Sequence, residues 1–160
     1  MFPKMRRFKQ QLTQEECITI LQNGKEMVLA VLGNDGYPYT IPLNYVYHNG
    51  KICFHCAKSG HKLSAIQNCS KVSCCIIDKN DIVSDKLTTY YKSVIVFGKA
   101  KILSEQTEII HSAEILGLKY NHHSDFVHRE IEKFIDTLCC VEITPEHITG
   151  KQAKELVTGG

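Results

Sequence analysis

The sequence lacks the short motifs by which the common nucleotide-dependent enzymes and hydrolases are recognised. It has no Gly-x-Ser-x-Gly elbow, no P-loop and no glycine-rich dinucleotide fingerprint. It also has no internal repeat, no low-complexity stretch and no linker. These absences argue against hydrolase, NTPase and Rossmann-type enzymes, and they favour a single domain over residues 1–160.

Strong net charge and long apolar runs are missing as well. The 19 basic and 17 acidic side chains leave a net charge of +2, which is too mild to predict a nucleic-acid or anionic-membrane partner. No apolar run approaches the roughly 20 residues that a membrane-spanning helix needs, and the first residues lack the apolar core of a secretory signal. We therefore expect a cytoplasmic protein.

Basic residues are concentrated near the N-terminus, at Lys4, Arg6, Arg7 and Lys9. We interpret residues 1–11 as a basic N-terminal arm, and residues 151–160 as a C-terminal tail. Such an arm can be a solvated surface or can bind phosphate, and the sequence favours the solvated surface.

Eight cysteines and eight histidines raise the question of a metal site or of disulfides, but their spacing supports neither. Cys53 and Cys56 form a CxxC pair, yet an offset of three on an extended strand places the two thiols on opposite faces. The neighbouring cysteines at 74–75 and 139–140 alternate for the same reason. We predict mostly buried, apolar cysteines, surface histidines and no metal, with a zinc site that includes Cys53 and Cys56 left open as an alternative.

Residues 35–62 carry the clearest pattern in the chain. Asp35-Gly36 predicts a tight turn, and Asn49-Gly50 predicts a two-residue hairpin, because both turns need residues that tolerate positive φ. We predict a long strand over 37–47 between these turns and a return strand over 51–55.

Pro42 lies inside the longer of these strands. Because a proline cannot donate to a ladder, it marks a sheet edge, a bulge or a stretch of backbone that faces a ligand. After the return strand comes a polar corner of small and basic residues, ending in His61 and Lys62. Such a corner can hold an anion, or it can be an exposed turn that opens a helix, and the corner by itself favours the exposed turn.

The rest of the chain predicts strands interrupted by helices. Thr13 and Glu16 form a capping box at the start of a helix that ends near Gly24. Strands dominate the first two thirds, and two helices interrupt the last pair of strands, which is typical of a mainly β (α+β) closed or split antiparallel barrel with helical insertions. The further predicted elements are a strand buried on both faces over 27–32, a short helix over 62–68, a strand over 72–77, a loop over 78–89, a strand over 90–103, helices capped by Ser104 and Ser124, and a final strand over 139–143.

Several motifs in this order resemble one family over nearly the whole chain. The sequence is similar to the nitroimidazole-resistance branch of the pyridoxamine-phosphate-oxidase-like proteins. The matching segments are Gly36-Tyr37-Pro38, Pro42-Leu43-Asn44-Tyr45, Phe54-His55-Cys56-Ala57, Gly60-His61-Lys62-Leu63, residues 91–100, Val141-Glu142-Ile143 and His147-Ile148-Thr149-Gly150-Lys151.

This resemblance implies an FMN-binding split barrel that forms a homodimer, with two flavins held between the subunits. Lys62 falls where the family places a phosphate-binding basic residue, and His61 is a second candidate. The residues that we expect at the cofactor are Thr40, Ile41, Pro42, Leu43, Asn44, His55, Cys56, Ala57, His61, Lys62, Tyr91, Lys92 and Ser93.

His55 is the candidate catalytic residue. A single histidine on a strand is more often structural, but the resemblance places a histidine at this position beside the flavin and the substrate space. We therefore expect an FMN-dependent oxidoreductase that passes electrons from reduced flavin to a small aromatic or nitro-substituted acceptor, with NAD(P)H as one candidate donor. Two alternatives are a flavin-binding protein without turnover and a haem-binding split barrel with His55 or His61 as the axial ligand.

Overall fold

The computed structural model describes residues 2–157. Met1 and residues 158–160, at the outer ends of the predicted arm and tail, lie outside the described residues. Short 3-10 turns are found at Phe8–Gln10, Ser84–Lys86 and Lys154–Leu156. The helices and strands are α1 (Gln14–Asn23), β1 (Glu26–Leu32), β2 (Pro38–Asn44), β3 (Val46–His48), β4 (Lys51–Ala57), α2 (His61–Asn68), β5 (Lys71–Val83), β6 (Thr88–Ile102), α3 (Gln106–Tyr120), α4 (Ser124–Phe134) and β7 (Leu138–Gln152).

The seven strands of the described chain form one antiparallel sheet in the order β2-β1-β5-β6-β7-β4-β3. Its two edge strands, β2 and β3, are joined by Tyr45 alone, so the sheet must curl until its edges meet at this residue. β2 forms no ladder with β4, so the barrel is split between these two strands. The predicted mainly β fold, a split antiparallel barrel with helical insertions, is confirmed.

The core fills the inside of this curled sheet. Large side chains from all seven strands meet there, together with α1 and α2, and Leu29, Phe54, Val94 and Val141 are all fully buried. Burial of such side chains stabilises a fold by about 1.5–3 kcal/mol each. Helices α3 and α4 pack on the outside instead, where Leu116 covers the outward-facing Cys53. The outer surface of β4 is therefore sheltered at one end.

The predicted start of α1 is confirmed. The backbone N–H of Glu16 donates to Thr13 Oγ1 at 3.2 Å, and the backbone N–H of Thr13 donates to the Glu16 carboxylate at 2.8 Å. Gly24 follows the helix, with an ordinary φ of −61°. A side chain there would collide with the hydroxyl of Tyr45 and with Ile76, so space, rather than backbone conformation, requires this glycine.

Both predicted turns are confirmed. Gly36 has φ +83°, and Asn49 and Gly50 have φ +48° and +77°. These values fit the two-residue hairpin that pairs His48 with Lys51. Pro42 lies on an edge strand, as one of the three predicted alternatives requires, because β2 pairs with β1 on one side only.

Four of the predicted strands and loops are wrong in their burial or extent. β1 is buried on one face only, because Val28 and Leu32 point outward and are 37% and 49% exposed. The strand predicted over 37–47 breaks at Tyr45. The loop predicted over 78–89 is mostly strand, since β5 and β6 continue to pair as a hairpin beyond a bulge between Ile77 and Lys79.

The fourth correction concerns the last strand, which continues past residue 143 to Gln152. Pro145 does not end it, because the proline lies at a bulge where the β6–β7 register shifts between Phe97 and Gly98. Bulges are one of the few sheet positions that tolerate proline. A Cβ on Gly98 would lie 2.5 Å from the backbone oxygen of Thr144, so this crossing also depends on a glycine.

The predicted caps of the two outer helices are wrong. Glu105 and His123 are the N-cap residues of α3 and α4, and neither Ser104 nor Ser124 caps a helix with its side chain.

The cysteine prediction is confirmed, since all eight thiols are free and each is buried or half-buried. Among residues 2–157 no helix combines the length and the apolar character needed to cross a bilayer.

Candidate functional site

The opening of the barrel brings the predicted cofactor residues of β2 and β4 together. In the β3–β4 ladder Val46 is paired with Cys53. Continuing this register by two residues places Asn44 of β2 opposite His55 of β4, and both residues line one cleft. We call this line between residues 40–44 and residues 55–57 the seam. Along it the backbone groups of β2 on the side away from β1 have no strand partner.

The predicted residues on the seam divide by face. Thr40, Pro42 and Asn44 are exposed on the outer face of β2, as are His55 and Ala57 on β4. The intervening side chains of Ile41, Leu43 and Cys56 turn inward and pack against the core. Only the first group can offer its side chains to a ligand outside the barrel; the second can contribute backbone atoms and rigidity.

The polar corner closes one end of the seam. His61 is the first residue of α2, and its ring meets Tyr39 edge-on with 4.7 Å between ring centroids. Lys62 is half-buried, with Nζ 5.5 Å from the centre of the Phe54 ring. Gly60, with φ +132°, is the N-cap, no side chain among the described residues caps this helix end, and its first turn carries no acidic residue. Uncapped N–H groups beside an ammonium group suit a phosphate.

His55 stands at the wall of an apolar cleft of about 450 Å³. The cleft is bounded by β4, α3 and α4, and its lining includes Leu116, Phe126 and Phe134, with Glu130 as its only charged residue. Burial in this cleft, and secondly the positive charge of Lys62, lower the pKa of His55 below its ordinary 6.5. The imidazole is therefore neutral at pH 7 and able to accept or donate one hydrogen bond.

Tyr91, Lys92 and Ser93 lie far from this seam within one subunit. His55 is paired with Cys140 at the start of β7, and Ser93 with Lys151 near its end. These two β7 positions are eleven residues apart, or roughly 35 Å along the strand. The structure thus separates the thirteen predicted cofactor residues into a group of ten at the seam and a group of three at the opposite end.

Two residues that position the site were not predicted from the sequence. The hydroxyl of Tyr120 lies within hydrogen-bond distance of the backbone oxygens of Lys25 and Tyr45, either of which can accept its one proton, and it accepts from the Tyr45 N–H at 3.2 Å. Lys119 Nζ donates to the same Tyr45 oxygen, at 2.9 Å, and to Gly24. Burial lowers the pKa of Lys119 to about 8. Together they anchor the end of α3 to Tyr45, the residue between β2 and β3.

The sequence signal for this anchor is weak. Lys119 and Tyr120 occur in what reads as an ordinary polar helix end, and only the tertiary position of Tyr45 gives them a role.

No group of three or more His, Cys, Asp or Glu side chains within residues 2–157 is arranged to hold a metal ion.

Together, the split barrel and its seam define the class of protein: the fold is that of the flavin-binding split barrels. The chain belongs to the pyridoxamine 5'-phosphate oxidase family, whose pattern it matches over residues 13–152. The family resemblance stated from the sequence is thereby confirmed. Among proteins with curated descriptions, none matches this sequence.

Solved structures share this fold at low sequence identity. A candidate 5-nitroimidazole antibiotic resistance protein from Bacteroides thetaiotaomicron is 17% identical, with a TM-score of 0.72 over 89% of this chain and 86% of that chain. The conserved hypothetical protein Rv2991 from Mycobacterium tuberculosis is 16% identical, with a TM-score of 0.82 over 98% and 95%. A FAD-binding protein from Mesorhizobium loti is 20% identical, with a TM-score of 0.65 over 90% and 97%.

Proposed function

We propose that this protein is an FMN-dependent oxidoreductase that works as a homodimer and passes electrons to a small aromatic or nitro-substituted acceptor. The observation that carries the proposal is the seam, where an unpaired strand edge, a histidine and a basic helix start lie along one line. Membership of the pyridoxamine 5'-phosphate oxidase family and the likeness to a FAD-binding protein support a flavin as the ligand.

The residues of the seam fit the three parts of a flavin mononucleotide. The phosphate matches the uncapped start of α2 and the ammonium group of Lys62. The flat ring system matches the outer face of β2, where Pro42 gives a smooth surface. Polar edges of the ring can bond to the unpaired backbone of β2 and to the side-chain amide of Asn44, which in this structure donates to the Lys25 oxygen at 3.1 Å.

When bound, the flavin would supply the redox chemistry, and the protein would supply orientation, exclusion of water and a proton. His55 is placed for the last of these tasks, because it faces the cleft where an apolar acceptor would lie beside the seam. Replacing His55 with Ala should lower turnover and leave the protein yellow. Unchanged turnover would remove His55 from the mechanism.

Dimerisation is part of the proposal, because a row of apolar side chains crosses the outer face of the sheet. Pro42, Val28, Cys75 and Ile95 are successive cross-strand partners on this face, and each is half-buried or exposed. A second copy bound there would cover this row. It is also the arrangement that could bring the distant group Tyr91, Lys92 and Ser93 to the other subunit's flavin.

The dimer can be tested by light scattering on charged variants. Val28→Arg should convert the dimer to a monomer and weaken flavin binding. The matched control is Ile110→Arg on α3, since the two residues have nearly equal exposure, 37% and 39%. A wild-type monomer, or equal effects of the two substitutions, would contradict the proposed interface.

Function is tested by anaerobic mixing of the purified protein with NADH or NADPH. Bleaching of the flavin, followed by recovery when a nitroaromatic acceptor is added, is the expected result. Release of the cofactor by denaturation and chromatography distinguishes FMN from FAD. If neither NADH nor NADPH bleaches the flavin, the result would favour the alternative function, a flavin-binding protein without turnover.

A further inference from the structure

The cleft beside His55 carries one formal charge, and that charge is negative. Among the described residues that line the cleft, only Glu130 has a charged side chain, since the imidazole of His55 is neutral at pH 7. The walls behind it are apolar and include the buried side chains of Ala113, Leu116 and Val127. A carboxylate beside such walls attracts a cation more strongly than it would in water, and it repels an anion.

Two aromatic side chains flank Glu130 along α4. Phe126, Glu130 and Phe134 are spaced four residues apart, so they lie on one face of the helix, about 6 Å from one to the next along its axis. Both rings line the cleft and remain almost half exposed, at 46% and 47%. Because the face of an aromatic ring attracts a cation within about 6 Å of its centre, the rings and the carboxylate favour the same kind of ligand.

The protein already places an ammonium group on this row of side chains. Lys133 Nζ lies 3.9 Å from a carboxylate oxygen of Glu130 and 4.9 Å from the centre of the Phe134 ring. The carboxylate and the ring therefore accept a cation together. The Lys133 side chain is 64% exposed and is not among the described residues that line the cleft, so its flexible stem can turn away into solvent. Lys133 would thus compete with a cationic ligand for Glu130.

We propose that the cleft binds a small aromatic molecule that carries an ammonium group, with this group held between the carboxylate of Glu130 and the rings of Phe126 and Phe134. The aromatic body extends along the apolar walls towards His55. This orientation keeps the ligand's charge away from Lys62, whose positive charge acts on His55. The volume of about 450 Å³ is typical of small-molecule sites. The role of this molecule as the electron acceptor rests on the proposed function, whereas its binding does not.

The test is a calorimetric titration of the purified protein, with any flavin left in place. The probes are 4-nitrobenzylamine, 4-nitrobenzyl alcohol and 4-nitrobenzoate, which have similar shapes and are cationic, neutral and anionic at pH 7. The wild-type protein should bind the amine most tightly and the benzoate most weakly. Glu130→Gln should weaken binding of the amine by roughly two- to fivefold, as for a partly exposed ion pair, and leave binding of the alcohol unchanged.

Two further variants separate a binding role from a structural one. Lys133→Ala should tighten binding of the amine, because it removes the internal competitor for Glu130. Phe134→Leu should weaken the amine more than the alcohol, because leucine keeps the apolar contact but offers no ring to a cation. Glu132→Gln is the matched control, since Glu132 is exposed on α4 and is not among the described residues of the cleft.

Thermal melts establish that each variant is folded. Opposite effects of Glu130→Gln and Lys133→Ala on binding of the amine, with no effect of Glu132→Gln, support the proposal. A wild-type protein that binds none of the three probes, or that prefers the alcohol or the benzoate, overturns it. Equal weakening of the amine and the alcohol in Glu130→Gln overturns it as well. If the amine binds as expected but reduced flavin passes it no electrons, the proposed function fails and the binding site stands.

Discussion

Replacement of Lys62 by Ala tests the phosphate end of the proposed flavin site. Lys62 is half-buried between the Phe54 ring and the uncapped start of α2, and its charge reaches His55, whose pKa it helps to lower. One hydrogen bond from a charged donor contributes about 1.5–3 kcal/mol, which corresponds to a roughly 10- to 150-fold weaker dissociation constant for FMN. Flavin fluorescence during titration of the stripped protein measures this constant.

Two comparisons make this result specific. Riboflavin lacks the phosphate, so its binding should change little, and the pKa of His55, followed by NMR in the flavin-free protein, should rise in the variant. Lys58→Ala is the matched control, because Lys58 is exposed and only four residues away. Equal loss of FMN and riboflavin affinity, or no loss of either, would refute the assignment of Lys62 to the phosphate.

Three further predictions follow from pKa values and packing. Because the pKa of His55 lies below 6.5, its protonated form appears only as the pH falls; kcat should then rise towards acid pH, and His55→Gln should flatten that profile. Gly98→Ala should lower the free energy of unfolding in urea by about 1–3 kcal/mol, since its Cβ would meet the Thr144 oxygen, whereas exposed Lys99→Ala should not. Burial raises the pKa of Cys74 from 9.0 to about 12, so the unfolded chain loses this proton first. The free energy of unfolding should therefore fall between pH 9 and 12, by up to about 1.4 kcal/mol per pH unit for this thiol. Urea unfolding at several pH values should show a shallower fall in Cys74→Ala. An equal slope in the two proteins would contradict the raised pKa of Cys74.

The parts of the fold that depend on local chemistry could be predicted from the sequence. Asn49 and Gly50 specify a turn because few residues adopt positive φ, and Thr13 with Glu16 specifies a helix start because the two groups satisfy each other's N–H donors. Pro42 limited its position to a sheet edge, a bulge or a stretch of backbone that faces a ligand, because it cannot donate to a ladder, and the structure shows the edge. Each of these signals is contained within a few neighbouring residues.

The parts that depend on distant partners could not be predicted. Residues 79–83 are too polar to indicate a strand, but the neighbouring β6 offers them a continuous set of hydrogen-bond partners. Pro145 looks like the end of β7 until the bulge opposite Gly98 is known. The sequence could suggest that Ser93 belongs to a cofactor site, but not that a single subunit places it far from His55.

The same limit applies to the site. The group at the seam could be proposed from the family resemblance, whereas the cleft beside it arises because α3 packs on β4 and α4 packs on α3. Gly117 illustrates this dependence, because a Cβ there would lie 2.6 Å from Val127, so the close approach of the two helices relies on one glycine. Both helices carry an apolar stripe at the helical repeat, which indicates a packing face but not the element against which that face packs.

The visible spectrum of the freshly purified protein tests the central claim most directly. The account predicts flavin absorption bands, with the cofactor released on denaturation and identified as FMN. Haem bands would contradict it, and so would a colourless protein that takes up no FMN on reconstitution.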